Sequence, residues 1–162
     1  MLIISGHAAI VGVIAAFSIW LATVTNMVVW LFFLSWVAYF LFDDRWQSAA
    51  WALLQMIIGV VLAIGLMQLT AVLSPTYGLL ALVGLVFLFA SSLVFLERLE
   101  PMNNLPAYYL GTVAMFATGR PPEWSQVLQL SVPIVAGFLF GWITVTSRQL
   151  FARLAADRSR SR

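Results

Sequence analysis

Asn103-Asn104-Leu105-Pro106 opens the most chemically suggestive stretch of the chain. Asn is a good helix N-cap, and Pro is tolerated in a first helical turn. Asn104, Tyr108 and Thr112 then recur every four residues, one polar stripe on an otherwise apolar helix, with Tyr109 and Gly111 beside it. Amide, phenol and hydroxyl groups, next to the unpaired N–H groups of a helix start, suit a neutral solute that both donates and accepts hydrogen bonds. The competing reading makes Tyr108 and Tyr109 interfacial belt residues and Asn104 a plain cap.

A second stretch, Met27 to Phe42, is crowded by Trp30, Phe32, Phe33, Trp36, Tyr39 and Phe40. Such rings could line a narrow dewetted slot that passes small polar solutes flat and excludes hydrated ions. Aromatics of this density are more often packing and lipid contact. Asn26 precedes this stretch as Asn103 and Asn104 precede the other. The candidate solute pathway is therefore Asn26, Trp30, Phe33, Trp36, Asn103, Asn104, Pro106, Tyr108, Tyr109 and Thr112. Gln55, Gln68, Ser91 and Ser92 are further polar groups in apolar surroundings, explained by interhelical hydrogen bonds.

Other chemistry is excluded by what is missing. No Asp, Glu, Lys or Arg lies in the middle of an apolar segment, whereas proton relays, ion-coupling sites and voltage sensors need them. One His (His7) and no Cys give no metal site of the usual kind, no disulfide and no thiol chemistry. Asp43-Asp44-Arg45 and Glu97-Arg98-Leu99-Glu100 read as loop salt bridges or helix-end charges. No phosphate-binding loop or nucleophile motif occurs. The expectation is a protein that is not an enzyme, with no cofactor, no metal and no nucleic-acid partner.

The elements that hold these residues follow from composition. The chain has 162 residues, 63% apolar and only 9% charged. A soluble domain carries about 25% charged residues and cannot hide such an apolar excess. An all-α polytopic membrane protein is the remaining class, because in lipid every backbone group must be paired within the segment. Six apolar segments are expected: His7 to Val24, Met27 to Phe42, Ala49 to Leu73, Tyr77 to Leu96, Leu105 to Thr118 and Val127 to Thr146. A bilayer core needs about 20 helical residues. Segments 2 and 5 reach only about 24 and 21 Å, so they are thin crossings, broken helices or re-entrant hairpins. With six crossings, Arg45, Arg98 and the five tail Arg residues share one side and Arg120 stands alone on the other. The positive-inside rule then places both termini in the cytoplasm of an inner, plasma-membrane protein. One transmembrane domain, 1–148, would precede a basic cytoplasmic tail, 149–162, lying at the anionic headgroups.

The two halves, about 7–73 and 77–146, can be superposed. Leu34-Ser35-Trp36-Val37-Ala38-Tyr39-Phe40 falls on Leu110-Gly111-Thr112-Val113-Ala114-Met115-Phe116. After a slip of two residues, Trp46 falls on Trp124, Gly59 on Gly137 and Ala63 on Gly141. Three crossings per half is odd, so a tandem duplication would be inverted in the membrane, and short interrupted segments at matching positions point to a solute pathway. The alternative is chance alignment of low-complexity apolar sequence. Gly59-x-x-x-Ala63 and Gly137-x-x-x-Gly141 let helices approach closely, and Pro133 is expected to kink segment 6.

Three features resemble the domain-of-unknown-function family ten-ninety-seven, small bacterial inner-membrane proteins. They are Trp36-Val37-Ala38-Tyr39-Phe40, Asn104-Leu105-Pro106-Ala107 leading to Gly111, and Gly137-Phe138-Leu139-Phe140-Gly141, within about residues 7–150. The resemblance implies an integral membrane protein of five or six segments and no established activity. A looser architectural similarity is to urea channels, which pair inverted halves each holding a short segment with Pro near its start. Leu105-Pro106 and Thr112 correspond, but the first half has Val29 and Trp30 where a matching Pro would stand. The expected function is a passive channel or facilitator for a small neutral polar solute, urea-like or amide-like. The alternative is a non-transporting scaffold whose partner face is Gly137-x-x-x-Gly141. Self-association as a dimer or trimer is expected under either reading.

Overall fold

The computed structural model describes residues 2–42 and 46–160, with side chains described for 4–42 and 46–155. Six α-helices form: α1 (Leu2–Val24), α2 (Val29–Leu41), α3 (Trp46–Tyr77), α4 (Leu79–Val94), α5 (Leu105–Phe116) and α6 (Ser125–Arg160). A 3₁₀ turn, Phe95–Arg98, follows α4. No strand occurs among the described residues. Helices α1, α3, α6, and α4 with its 3₁₀ turn are long and apolar enough to cross a membrane, and α2 and α5 are shorter apolar helices. The chain is an all-α polytopic membrane protein. The Asp43-Asp44-Arg45 charges lie outside the described residues.

Helix ends differ from the expected segment ends for local reasons. Helix α1 begins at Leu2 rather than His7, and α6 runs on to Arg160 instead of stopping near Thr146. The stretch Arg148-Gln149-Leu150-Phe151-Ala152-Arg153-Leu154 contains strong helix formers and neither Gly nor Pro, so nothing ends the helix there. Its Arg residues also suit the negative end of the helix dipole. The tail is thus largely a continuation of α6. Asn26 ends α1 in the left-handed region, φ 53°. The Met27 amide donates to Ala22 O at 2.9 Å and the Asn26 amide to Thr23 O at 3.3 Å, the bond pair of a Schellman cap. Gly78, φ 56°, is the single residue between α3 and α4, a conformation that a side chain would strain.

The helices pair in a reciprocal pattern. The most extensive contacts are α3 with α5 and α2 with α6, so each short helix lies on the long helix of the other half. Next come α1 with α6 and α3 with α4, again matching partners. Exchanging the halves maps this pattern onto itself, as a two-fold relation requires. The match extends to single residues. A Cβ on Gly59 would meet Tyr108 O and come within 3.1 Å of Gly111 Cα. A Cβ on Gly137 would meet Phe32 O and come within 2.6 Å of Ser35 Cβ. In the sequence register Phe32 falls on Tyr108, Ser35 on Gly111 and Gly59 on Gly137, so the two glycines stand at matching contacts of the two halves.

Directions follow from the same contacts. Along α3, Gln55, Gly59 and Gln68 meet Pro101, Gly111 and Pro122 in order, so α5 runs parallel to α3. Along α6, Gly137 meets Phe32 to Trp36 and Gly141 meets Tyr39, so α2 runs parallel to α6. His7 packs against Phe151 and Phe17 against Phe140, so α1 is antiparallel to α6. Both short helices therefore run from one end of the bundle toward the other, and neither is a re-entrant hairpin. The core lies among α2, α3, α5 and α6, around Leu31, Met56, Val60, Ile64, Met115 and Ile134. Helices α1 and α4 are peripheral and leave most of their apolar side chains outward, as a lipid-facing helix should.

Candidate functional site

Helix α3 is 32 residues long, about 48 Å at 1.5 Å per residue. Gln55 and Gln68 each lie about 10 Å from its midpoint by the same rise. Gln55 Nε2 donates to Pro101 O at 2.9 Å, and Gln68 Nε2 donates to Pro122 O at 2.9 Å. The irregular segments on both sides of α5 thus sit at the depth of these glutamines. A hydrocarbon core extends about 15 Å from its midplane. A helix of this length centred in a bilayer would carry both loops about 5 Å inside that core. Carbonyls there have no water to pair with unless a cavity brings it. The two glutamines supply the missing donors, and Gln126 Nε2 adds a 2.6 Å bond to Pro121 O.

The two loops differ. At the end that carries both chain termini, a polar cleft of about 380 Å³ opens between the start of α3 and the loop before α5. Gln47, Ser48, Trp51 and Gln55 of α3 form one wall, and Glu100, Pro101, Asn103 and Asn104 form the other. Gln55 is fully buried. Its amide orientation is set by Pro101 O, which needs the NH₂ group, so the carbonyl Oε1 points elsewhere and has no hydrogen-bond partner. An unpaired buried acceptor of this kind costs about 1–3 kcal/mol unless a donor arrives. A neighbouring hollow of about 570 Å³, lined by Leu41, Phe42, Asn104 and Pro106, carries the opening toward the space between the end of α2 and the start of α5.

The stripe on α5 divides. Asn104 holds the N-cap position of α5, but its side chain makes no capping bond, and it faces the cleft with Asn103. Pro106 is in the first turn and borders the hollow. Tyr108 and Thr112 turn into the α3 seam. Tyr108 is fully buried and its hydroxyl donates to Met102 O at 3.1 Å. Thr112 Oγ1 lies 3.0 Å from Tyr108 O and 3.3 Å from Gly59 O. Tyr109 is half-exposed on the other face.

The remaining candidates stand at the opposite end or in the α2–α6 seam. Asn26 forms the cap of α1, and Trp30 is half-exposed as the second residue of α2. Phe33 stacks on Trp36 at 5.6 Å, and Trp36 is buried with its indole N–H unpaired. The structure gathers Asn103, Asn104 and Pro106 at one end; Asn26, Trp30 and Phe33 lie toward the other.

The small residues act inside the chain. Gly59 receives α5, and Gly137 and Gly141 receive α2, with Tyr39 atoms within 2.6 Å of a Cβ on Gly141. Ala63 and Pro133 are fully buried. The Gly137-x-x-x-Gly141 face is thus occupied by α2 and is no free partner surface. A wholly apolar groove of about 350 Å³, bordered by Tyr39, Trp46, Leu53, Phe138 and Trp142, faces outward and carries no polar chemistry.

Gln55 and Glu100 carry more of the site than sequence reading assigned to them, and Gln47 and Trp51 escaped it. Gln47, Trp51 and Gln55 recur every four residues, as Asn104, Tyr108 and Thr112 do. That second stripe was the available signal.

A family model described as "Protein of unknown function (DUF1097)" matches residues 8–148. No curated protein and no solved structure matches the chain.

Proposed function

The chain belongs to the DUF1097 family of unknown function, and from that premise we propose that it is a passive facilitator for a small neutral polar solute, urea-like or amide-like. One observation carries the proposal: an amide-lined cleft between α3 and the loop before α5, which Gln55 holds about 10 Å from the midpoint of a long apolar helix. Irregular backbone survives at that depth where protein buries it or where it lines a water-filled cavity. Short interrupted segments at matching positions of an inverted repeat are where solute pathways form. A cleft of about 380 Å³ also falls in the size range of small-molecule sites.

The pathway begins at Asn103 and Asn104 and continues between α2 and α5, which touch each other only sparsely. Asn26, Trp30 and Phe33 stand at its far end. The reading invokes no catalysis and no cofactor. The Arg distribution supports termini in the cytoplasm and a plasma-membrane location. Self-association as a dimer or trimer is part of it. Gly12 and Gly84 face open space on the peripheral helices, where small residues let a neighbouring helix approach.

Stopped-flow swelling of proteoliposomes with urea, acetamide and glycerol tests the proposal. At least one solute should enter faster than through protein-free vesicles, and Asn104→Leu should slow it severalfold. Entry of all three at the bare-lipid rate refutes the facilitator.

A further inference from the structure

Helix α6 carries an outward stripe that changes character along its length. Val135, Leu139, Trp142, Thr146, Gln149 and Arg153 are all exposed and follow one another at steps of three or four residues, the spacing of a single helix face. On the opposite side, Phe140 and Phe151 are covered by α1. Val135, Leu139 and Trp142 border the apolar groove of about 350 Å³, whose other wall is the start of α3, Trp46 to Leu53. Trp46 and Trp142 mark the end of the groove nearest the chain termini, and Trp is a residue that settles at headgroup level.

Beyond that rim the stripe turns polar. Gln149 follows Trp142 by about 10 Å along the axis and Arg153 by about 17 Å, both within about 20° of its bearing. Cβ bonds lean toward the N-terminus of a helix, so the Arg153 stem runs back along the stripe toward Gln149. The order is apolar, aromatic, hydroxyl, amide, guanidinium, which matches a phospholipid read from its tail to its phosphate. No acidic residue borders the groove among the described residues. A second copy of the chain fits less well. A two-fold axis along the membrane normal would set the stripe against itself, with Arg153 facing Arg153.

We propose that this face binds an anionic phospholipid, with one acyl chain in the groove between Trp46 and Trp142 and the phosphate held by Gln149 and Arg153. The guanidinium meets phosphate oxygens in bidentate fashion, and the Gln149 amide adds an N–H donor. The groove holds the chain and Arg153 selects the charge, so neither half alone makes the site. Arg148 is the internal control: it is exposed on the same helix with the same charge, but about 120° away from Trp142.

Native mass spectrometry of the full, delipidated chain in neutral detergent, titrated with phosphatidylglycerol, phosphatidylcholine or glycerol phosphate, tests the site. Phosphatidylglycerol should bind about fivefold more tightly than phosphatidylcholine, the attraction of one basic residue for anionic lipid. Arg153→Gln should abolish that preference, and Arg148→Gln should keep it. Ala50→Trp, which fills the groove from an exposed position, should weaken both lipids severalfold. Glycerol phosphate, which has no acyl chain, should not compete. Equal affinity for the two lipids, equal losses in the two Arg variants, unchanged binding in Ala50→Trp or competition by glycerol phosphate overturns the proposal. So does tighter binding of phosphatidylcholine, which would mean that Asp43 and Asp44, just ahead of Trp46 in the sequence, govern the rim. A lipid-free dimer that Ala50→Trp dissociates gives the groove to a second copy and overturns it too.

Discussion

Gly111 and Gly59 meet where α5 crosses α3, and the crossing leaves no room for a methyl group. A Cβ on Gly111 would fall on Met56 O, within 2.8 Å of Met56 C and 3.1 Å of Gly59 Cα. Carbon–oxygen contacts between backbones settle at about 3.3–3.6 Å. Gly111→Ala must therefore push the helices apart by more than about 1 Å. A gap of 0.5–1 Å forfeits about a quarter to a half of each dispersion contact along the seam. A buried side chain of Leu size makes about 40–60 contacts worth about 0.1–0.2 kcal/mol each. Loss on that scale over Met56, Val60, Ala107 and Met115, partly recovered by relaxation, comes to about 2–3 kcal/mol, within the range of overpacked cores. Gly65→Ala is the control: it lies on α3, nothing stands within 4 Å of its Cβ, and the helix gains up to about 1 kcal/mol from the exchange. The assay is reversible unfolding by sodium dodecyl sulfate in mixed micelles, followed by tryptophan fluorescence. Gly137→Ala should behave as Gly111→Ala does, since its Cβ would meet Phe32 O and Ser35 Cβ. Equal midpoints for Gly111→Ala and Gly65→Ala would refute the close crossing.

Three further outcomes use the same titration. Gln68→Leu strips Pro122 O of its donor and should destabilise by about 1–3 kcal/mol; an unchanged midpoint means that water already serves that carbonyl. Gly141→Leu should lower the midpoint by displacing Tyr39 while leaving the oligomeric mass in native mass spectrometry unchanged. A changed mass would return the Gly137–Gly141 face to a partner chain. Asn26→Val should destabilise by about 1–2 kcal/mol because of its positive φ, and Asn26→Gly should not; identical effects would dismiss the left-handed cap.

Six apolar segments, two of them short, were legible because lipid imposes a single rule on backbone pairing. The correspondence of the halves was legible too, through Gly59 and Gly137, since close crossings leave a glycine that composition alone does not demand. Which helix each glycine receives was not legible. Nothing local in α5 says that it lies on α3 rather than on α6, because that choice belongs to the exchange between halves. The stripe of Asn104, Tyr108 and Thr112 misled for a related reason. Helical spacing puts the three on one face, but α5 begins beside a cleft and then enters a seam. Its first polar group therefore meets open space, while the next two meet backbone carbonyls.

The polar cleft opens beside the loop before α5, and the loops that precede the two short helices differ in how their backbone is paired. The position on α6 that corresponds to Gln55 is Pro133, which has no side-chain donor. The loop it would serve, Thr25 to Val28, needs none. It is a tight turn whose amides bond back to Leu21, Ala22 and Thr23 within the cap of α1. The loop before α5 is longer and leaves Pro101 O to be met from outside. A glutamine answers it with one end of its amide, and the other end is left buried without a partner. Gln55 thus holds the loop that forms one wall of the cleft. Gln55→Met tests that hold: it should lower the stability to unfolding by about 1–3 kcal/mol, whereas Asn103→Ala, at an exposed position with no part in the loop's hydrogen bonds through its side chain, should leave the unfolding midpoint unchanged.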